Sequence, residues 1–283
     1  MAFRFANVSG RATLLDPDDN CHDLARLTDH RLSSDPMVAL ADPAALHEAA
    51  RGLAGAVADG SLADARADGR VGPPVPRPVN CFAVGLNYLA HAAESNVELP
   101  ASPLVFTKFP TCLVGPDHDI ELNSTSADWE VELVVVIGSG GRDIAADDAW
   151  DHVAGLTIGQ DISDRALQFA ASPPHFDLGK SRDTYGPIGP VLVSVDAFDD
   201  PDDIRLWCEV DGDRRQDART SQLIFNVPYL VSYLSGILSL QPGDIIFTGT
   251  PSGVGMATGT FLKPGDVVTS GIEGIGTMVN ACR

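Results

Sequence analysis

The chain has 283 residues, of which 44% are hydrophobic, so it can bury the core of one large domain or of a small and a large one. Its formal net charge of -20 argues against nucleic acid as a partner, because phosphate binding needs a basic surface. The same charge disfavours docking on anionic lipid. The sequence contains no run of about 18 apolar residues, so it predicts no membrane span.

The cysteines are widely spread and form no Cys-x-x-Cys pair: they are Cys21, Cys81, Cys112, Cys208 and Cys282. This spacing disfavours a disulfide framework or a zinc site and is typical of reduced, buried thiols. The N-terminal stretch MAFRFANVSG lacks the continuous apolar segment of a signal peptide. We therefore expect a cytoplasmic protein.

Residues 1–72 are predicted to form a small N-terminal α+β subdomain. MAFRFANV and RATLLD are predicted strands around a Ser9–Gly10 turn, and the Ala-rich stretch 40–68 places its apolar residues at helical spacing. This region carries no convincing catalytic cluster. Residues 73–79 are rich in proline, which favours extended backbone, so we interpret them as a linker.

Residues 80–283 are predicted to form a strand-rich α+β catalytic domain. Cys81–Gly85 is a short apolar strand, and two Pro-Gly-Asp turns, in LQPGDIIFTGTP and FLKPGDVVTSG, each lead into a β-branched strand. Few stretches are predicted to be helical, so the chain does not alternate strand and helix. These helical stretches are 90–95, 146–153, 164–171 and 227–238.

The stretch DWEVELVVVIG combines a buried strand with two glutamates close to its start. Glu130 and Glu132 are two positions apart, which places both carboxylates on one face of a strand. Adjacent carboxylates that enter an apolar interior repel each other and lose hydration, and a hard divalent cation between them offsets this cost. The spacing is equally compatible with a strand end whose glutamates point into water.

Two further acidic groups allow more than one interpretation. In HAAE, His91 and Glu94 share a helical face, so Glu94 can orient the imidazole as a general base for water, or the two form an incidental surface pair. Asp161 follows the predicted strand 156–158 and is placed to be a third oxygen ligand. It is also a typical helix N-cap residue, and Asp164 competes for both roles.

Basic and glycine-rich segments complete the candidate residues. Arg165 and Gln168 share a helical face and could hold a substrate carboxylate, whereas Lys180 in a Gly/Pro-rich loop could bind an oxyanion or be solvated. IIFTGTPSGVG is a strand that enters a Gly-rich loop. It lacks the Gly-Lys-Ser/Thr of a phosphate loop, and the residues after it do not predict a helix. The chain also lacks the Gly-x-Ser-x-Gly of serine hydrolases.

Seven segments between about Val79 and the C-terminus together resemble the fumarylacetoacetate hydrolase family, in the order that this family has. They are GLNYLAHAAE, PLVFTKFP, DWEVELVVVIG, GQDISDRALQ, LGKSRDTYGPIGP, LQPGDIIFTGTPSGVG and GIEGIGTMVN. The resemblance implies a mixed β-sheet roll as the catalytic fold, a small keto or dioxo acid as the substrate, and a homodimer.

The resemblance also implies a role for each matching residue. One Mg²⁺ or Mn²⁺ ion per subunit would be bound by Glu130, Glu132 and Asp161. His91, with Glu94, would activate water. Substrate oxygens would be held by residues of four of the segments, and Lys180 would join the catalytic group. These substrate-binding residues are Tyr88, Arg165, Gln168, Thr184, Gly249 and Thr250.

Two departures from the family pattern concern the segment GQDISDRALQ. The usual Asn-Asp is here Gln160–Asp161, which leaves the metal ligand in place. The usual small residue before the arginine is here Asp164, which adds a carboxylate next to the anion-binding Arg165 and puts typical dicarboxylate recognition in question. The distal group of the substrate would be recognised by lid and loop residues of the segment 91–100.

The implied chemistry is hydrolysis of a carbon–carbon bond in an acylpyruvate or other 2,4-dioxo acid from aromatic or sugar-acid breakdown. A divalent cation stabilises the departing enolate, His91 deprotonates water, and Lys180 with the Gly249–Thr250 backbone stabilises the oxyanion. Without water the same chemistry decarboxylates a β-keto acid such as oxaloacetate, and related enzymes hydrate or isomerise unsaturated 2-keto acids. A third hypothesis is a non-catalytic binding protein.

Overall fold

The computed structural model of the protein describes residues 1–94 and 98–283. Its strands are β1 (Arg4–Val8), β2 (Arg11–Leu15), β3 (Asn20–Asp23), β4 (Gly60–Ser61), β5 (Val71–Gly72), β6 (Cys81–Gly85), β7 (Leu104–Thr107), β8 (Leu113–Val114), β9 (Ala127–Asp128), β10 (Val131–Ile137), β11 (Val153–Gln160), β12 (Ser163–Asp164), β13 (Gly186–Val193), β14 (Arg205–Val210), β15 (Asp213–Arg219), β16 (Ile245–Phe247), β17 (Val267–Ile272) and β18 (Gly276–Ala281).

The helices are few and short, which confirms the strand-rich α+β class. The α-helices are α1 (Leu24–Leu27), α2 (Pro36–Leu40), α3 (Pro43–Arg51), α4 (Leu62–Ala67), α5 (Leu89–Glu94), α6 (Arg165–Gln168), α7 (Val227–Ile237) and α8 (Gly255–Thr258). Short 3-10 helices cover Pro110–Cys112, Ala146–His152, Leu178–Lys180, Val195–Ala197 and Thr220–Gln222.

A mixed sheet of 12 strands dominates the fold. Its order is β4-β3-β2-β1-β13-β11-β10-β16-β6-β7, with β5 paired to β1 and β8 paired to β13. The pairs β16–β6 and β13–β8 are parallel, whereas the other pairs in this sheet are antiparallel. A four-stranded sheet, β15-β14-β17-β18, and the two-stranded pair β12-β9 complete the architecture.

Strand β10 lies in the interior of the large sheet between β11 and β16, and all seven of its residues are buried. Val131, Leu133 and Val135 pack in a core cluster that includes side chains of the four-stranded sheet and of α7. Val134 and Val136 pack in a second cluster with side chains of β1, β2 and α3. Both faces of β10 are therefore covered, which explains why its sequence is continuously apolar.

The N-terminal segment joins the same sheet as the predicted catalytic domain. Strand β1 pairs with β13, with Arg4 opposite Val193 and Phe5 opposite Leu192. Residues 73–79 contain neither helix nor strand, in keeping with the predicted linker. The division at residue 72 stays a prediction, but the hydrogen bonds of the sheet run across it.

Most predicted elements are present with adjusted ends. The stretch 90–95 begins as α5, and its residue 95 lies outside the described residues, as do residues 96 and 97 of the predicted lid. Residues 146–152 of the predicted stretch 146–153 form a 3-10 helix, and α7 covers 227–237. Helix α6 begins only at Arg165, because the carboxylate of Asp164 caps it by accepting from the N–H of Leu167.

The absence of a helix after the Gly-rich loop was a wrong expectation. Helix α8 forms there, although its N-cap residue Val254 provides no side-chain hydrogen bond. The N–H groups of Gly255 and Met256 instead donate to the carboxylate of Asp128, 127 and 128 positions away in the sequence. A cap supplied from so far away leaves no local sequence signal.

Two further expectations concern membranes and thiols. None of the described helices is long and apolar enough to cross a membrane. The five cysteines are buried and unpaired within the described part of the chain, as their spacing predicts.

We expect Phe5→Ala to lower the free energy of unfolding of the whole protein by about 3–5 kcal/mol, because Phe5 is fully buried and its removal leaves a cavity beside β13. Urea unfolding followed by circular dichroism measures this loss. Val57→Ala is the control, because Val57 is 92% exposed and its truncation should change stability by less than about 0.5 kcal/mol. Separate transitions for residues 1–72 and 80–283 would contradict a shared cooperative unit.

Candidate active site

Three acidic side chains converge where β10 begins and β11 ends. Glu130, Glu132 and Asp161 are buried, and each offers a carboxylate oxygen within 4.8 Å of the others. Pairing of β10 with β11 sets Val131 opposite Gln160, and the N–H of Asp161 donates to the carbonyl of Glu130 at 2.9 Å. The predicted group of three carboxylates is thus present, and such a group could hold a metal ion.

The ammonium group of Lys180 lies between two of these carboxylates. It donates to Glu130 Oε2 at 2.7 Å, to Asp161 Oδ2 at 2.7 Å and to Ser163 Oγ at 2.8 Å. The ring of Phe106 covers it at 5.3 Å from the ring centroid. All three donors of Lys180 are therefore in use, so its contribution in this arrangement is a fixed positive charge.

Arg165, at the start of α6, holds the other side of Glu130. Its Nη2 donates to Glu130 Oε1 at 2.6 Å, and its Nε donates to Asp128 Oδ2 at 2.8 Å. Its Nη1 donates to Gln168 Oε1 at 2.9 Å, as the spacing of the two residues on one helical face predicts. The candidate anion-binding pair is therefore assembled at the acidic group.

The two glutamates differ in their electrostatic surroundings. Burial alone would raise the pKa of Glu130, but Lys180 and Arg165 lower it to about 2. Burial, followed by repulsion from Asp161 and Glu130, raises the pKa of Glu132 well above its ordinary range. Glu132 is thus the carboxylate whose charge the protein's own cations compensate least. An all-oxygen donor set with uncompensated negative charge fits a hard divalent cation such as Mg²⁺ or Mn²⁺.

The loop after β16 positions Glu132 through its backbone. The N–H of Gly249 donates to Glu132 Oε2 at 2.7 Å, so it is committed to this carboxylate and does not lie free for an oxyanion. Gly249 has a φ of 104°, and a Cβ there would lie 2.7 Å from Cβ of Asn87, so the position requires glycine. The Thr250 hydroxyl donates to the carbonyl of Val131 at 2.9 Å and ties the same loop to β10.

His91 and Glu94 form the predicted pair on α5. Nδ1 of His91 lies 3.3 Å from Glu94 Oε2, and the imidazole is buried. His91 lies close enough to the acidic group for its charge to lower the pKa of Glu130. Tyr88, just before α5, is also buried, and its hydroxyl has no hydrogen-bond partner among the described residues. Burial, and next the charge of Glu132, raise the pKa of Tyr88.

Two of the remaining candidate residues have other partners. Asp164 accepts from Arg182 Nε at 2.8 Å and caps α6, and its carboxylate does not neutralise Arg165 within the described contacts. The concern that Asp164 disturbs the anion-binding arginine is therefore not supported by the geometry. Thr184 accepts from the N–H of Glu121 at 2.8 Å, and no described hydrogen bond joins it to the acidic group.

Lys108 is a site residue that sequence reasoning missed. It is fully buried, and its ammonium donates to Asp161 Oδ1 at 2.7 Å, to the carbonyl of Tyr185 at 3.1 Å and to the carbonyl of Lys180. Burial lowers the pKa of Lys108, but the charge of Asp161 outweighs it, so the pKa is raised. The segment PLVFTKFP contains Lys108, and an isolated lysine after an apolar strand was the available signal.

Asp128 is the second missed residue. It is fully buried, and its carboxylate binds Arg165 as well as the backbone of α8. Its even spacing from Glu130, which places both side chains on one face of a strand, was the available signal.

The fold and the site define a strand-rich α+β enzyme with three convergent carboxylates and an adjacent His–Glu pair. The family model described as fumarylacetoacetate (FAA) hydrolase C-terminal matches residues 80–283, so the chain belongs to the fumarylacetoacetate hydrolase family. The match covers the whole of the predicted catalytic domain.

Relatives and solved structures agree with this assignment. A mitochondrial oxaloacetate tautomerase of Bos taurus is 44% identical over 211 residues, which cover 73% of this chain and 67% of the relative. A crystal structure from Mycobacterium smegmatis, provisionally named HpcE, has a TM-score of 0.90 and 45% identity and covers 99% of this chain and 98% of its own. Maleylpyruvate hydrolase from Sphingobium sp. SYK-6, in complex with Mn²⁺ and pyruvate, has a TM-score of 0.81 and 28% identity, covering 99% and 98% respectively.

We expect Glu132→Gln to leave the metal-free protein as stable as the wild type or more stable, because burial and the neighbouring carboxylates disfavour the ionised form of Glu132 and a neutral amide carries no such cost. It should also abolish stabilisation by Mn²⁺, which in the wild type amounts to about 2.7 kcal/mol at 100 times the dissociation constant. Thermal unfolding with EDTA and with Mn²⁺ measures both effects. An unchanged Mn²⁺ shift in Glu132→Gln would show that the ion binds elsewhere.

Proposed function

We propose that this protein is a divalent-metal-dependent hydrolase that cleaves a carbon–carbon bond in an acylpyruvate or another 2,4-dioxo acid. The observation that carries the proposal is the His91–Glu94 pair beside the group of Glu130, Glu132 and Asp161. The complex of maleylpyruvate hydrolase with Mn²⁺ and pyruvate supports both the cofactor and the 2-oxo acid class. The homodimer implied by the resemblance stays a prediction.

A bound divalent cation would be held by Glu130, Glu132 and Asp161, and it would supply Lewis acidity at the substrate's keto acid oxygens. His91 takes a proton from water, and Glu94 accepts from Nδ1 of the imidazole and stabilises its charged form. The water oxygen attacks the distal carbonyl carbon, and the bond to the methylene carbon breaks. That carbon takes up a proton, so the products are pyruvate and a carboxylic acid.

The protein's cations act at fixed positions in this scheme. Arg165, joined to Gln168, faces the substrate carboxylate, and Lys180 contributes its positive charge next to Glu130 and Asp161. Because every donor of Lys180 already has an acceptor, a direct bond from its ammonium to a substrate oxyanion requires that one of these bonds be exchanged. The unpaired hydroxyl of Tyr88 provides a further donor beside Glu132.

The second candidate function is keto–enol interconversion of oxaloacetate. The specific observation that favours it is the 44% identity to an oxaloacetate tautomerase. In this reaction His91 would move a proton between the methylene carbon and the enol oxygen, and no carbon–carbon bond would break. Decarboxylation of oxaloacetate and isomerisation of unsaturated 2-keto acids would use the same residues.

The deciding experiment is a panel of acetylpyruvate, oxaloacetate and an unsaturated 2-keto acid with metal-stripped protein and added Mg²⁺ or Mn²⁺. Release of pyruvate from acetylpyruvate indicates the hydrolase. Faster formation of the keto form of oxaloacetate indicates the tautomerase, and it is measured with a coupling enzyme that consumes only that form. Release of CO₂ from oxaloacetate indicates the decarboxylase. Full activity after exhaustive chelation would exclude the proposed class of mechanism.

We expect His91→Ala to lower kcat by about 10²- to 10⁴-fold, because the variant lacks the general base. Stabilisation by Mn²⁺ should be retained, since the three carboxylates are untouched. The measurements are steady-state kinetics on the best substrate of the panel and thermal unfolding with Mn²⁺. His118→Ala is the control, because His118 is bonded to the carbonyl of Asp119 in another cleft. Equal kcat in His91→Ala and the wild type would disprove the role of His91.

A further inference from the structure

Asp128 occupies a central position that the proposed mechanism does not use. Its side chain is fully buried, and its carboxylate accepts hydrogen bonds from both the side chain of Arg165 and the backbone of α8. The N–H of Trp129 also donates to it, at 2.8 Å. A buried carboxylate with this many donors is held rigidly, and it holds its donors equally rigidly.

On one side, Asp128 orients the anion-binding arginine. Its Oδ2 lies 2.8 Å from Nε and 2.7 Å from Nη2 of Arg165. The guanidinium is planar, so the hydrogen bond from Nε and the close ionic contact of Nη2 fix its plane, while Nη1 and Nη2 donate to Gln168 and Glu130. The orientation of Arg165 toward the acidic group therefore depends on Asp128.

On the other side, Asp128 fixes the segment 253–256. Its Oδ1 accepts from the N–H of Gly255 at 2.6 Å, and its Oδ2 accepts from the N–H of Met256 at 2.9 Å. The neighbouring indole of Trp129 donates to the carbonyl of Gly253 at 3.0 Å. Asp128 and Trp129, which are consecutive in the sequence, thus hold both ends of the segment 253–256 by hydrogen bonds.

The same segment reaches the His–Glu pair. The N–H of Gly253 donates to the two carboxylate oxygens of Glu94, at 3.1 and 3.2 Å, and Glu94 in turn lies against Nδ1 of His91. Gly253 has a φ of 101°, and a Cβ there would lie 1.9 Å from the carbonyl oxygen of Arg215. Only glycine fits, so the position of this N–H is set by the backbone on both sides.

We propose that Asp128 is a positioning residue that couples the anion-binding Arg165 to the His91–Glu94 pair through residues 253–256. The proposal rests on the proposed function for the roles of Arg165 and His91. One carboxylate holds both Arg165 and the segment that orients Glu94. Binding of an oxo acid to Arg165 therefore changes the hydrogen bonds of Asp128 and, through them, the position of residues 253–256. In this way, binding of the substrate carboxylate also orients the general base His91.

The first test is Asp128→Asn, which replaces one acceptor oxygen by an amide NH₂ that meets N–H donors. We expect KM for the oxo acid to rise about tenfold and kcat to fall about tenfold or more, within the range typical of coupled sites. The Mn²⁺-induced shift in Tm should persist, because the three carboxylates that could hold the ion remain. If the Asn variant does not fold, Asp128→Ser, which keeps one small acceptor for a backbone N–H, is measured instead.

Asp23→Asn is the matched control. Asp23 is also a buried aspartate that caps a helix and pairs with an arginine, but its partners are α1 and Arg11 in the N-terminal region. We expect it to lose stability while its kcat and KM stay within about twofold of the wild type. Equal kinetic losses in the two variants would reduce the role of Asp128 to general support of the fold and overturn the proposal.

A double-mutant cycle separates the effect of Asp128 on Arg165 from its effect on the His91–Glu94 pair. His91→Ala leaves the contact between Asp128 and Arg165 in place. In this background Asp128→Asn should therefore still raise KM, because it disturbs that contact, but it should lower kcat little further. Fully additive losses in kcat would show that Asp128 does not act through His91 and would contradict the proposal.

Hydrogen exchange gives a readout that needs no turnover. In the Mn²⁺-loaded wild type, pyruvate should slow exchange of the amides of residues 253–256 by about tenfold, and in Asp128→Asn the same occupancy should leave them unchanged. Pyruvate binding is measured separately by calorimetry. If pyruvate binds to the wild type but does not slow amide exchange of residues 253–256, the coupling alone is disproved. If pyruvate does not bind, the proposed function is disproved, and the coupling with it.

Discussion

The site depends on the mutual compensation of buried charges. Four carboxylates and three cationic side chains lie together in the interior, and they are Asp128, Glu130, Glu132, Asp161, Lys108, Lys180 and Arg165. An isolated charge in such surroundings costs several kcal/mol, so each of these groups is stable only in the presence of its partners. The carboxylates exceed the cations by one, and this excess is what makes the site suitable for a divalent cation.

The fold supplies the rigidity that such a cluster needs. Because β10 is packed on both faces, its first residues enter the site from a strand that cannot shift without opening two core clusters. Glu130 and Glu132 share the side of β10 that also carries Val134, where the N-terminal strands and α3 contribute to the core. The N-terminal region thus packs on the same side of β10 as the acidic group, although it provides no ligand.

Sequence reasoning succeeded where the signal was local. The period of two around Glu130, the helical spacing of His91 and Glu94, and the turn residues of the strand-rich half predicted elements and pairs that the structure contains. The missed features depend on distant partners. Lys108 meets Asp161 across 53 positions, and Asp128 caps α8 across 127. No spacing within a segment encodes such contacts, because chain topology brings these residues together.

The pairing of β1 with β13 has a consequence for any shortened form of the protein. A chain that began at residue 80 would contain the whole family match, yet β13 would present the backbone edge that β1 now covers. The apolar face formed by Val134, Val136 and Leu192 would also lose its N-terminal covering. Bare strand edges beside bare apolar surface promote association between chains, so such a fragment would aggregate.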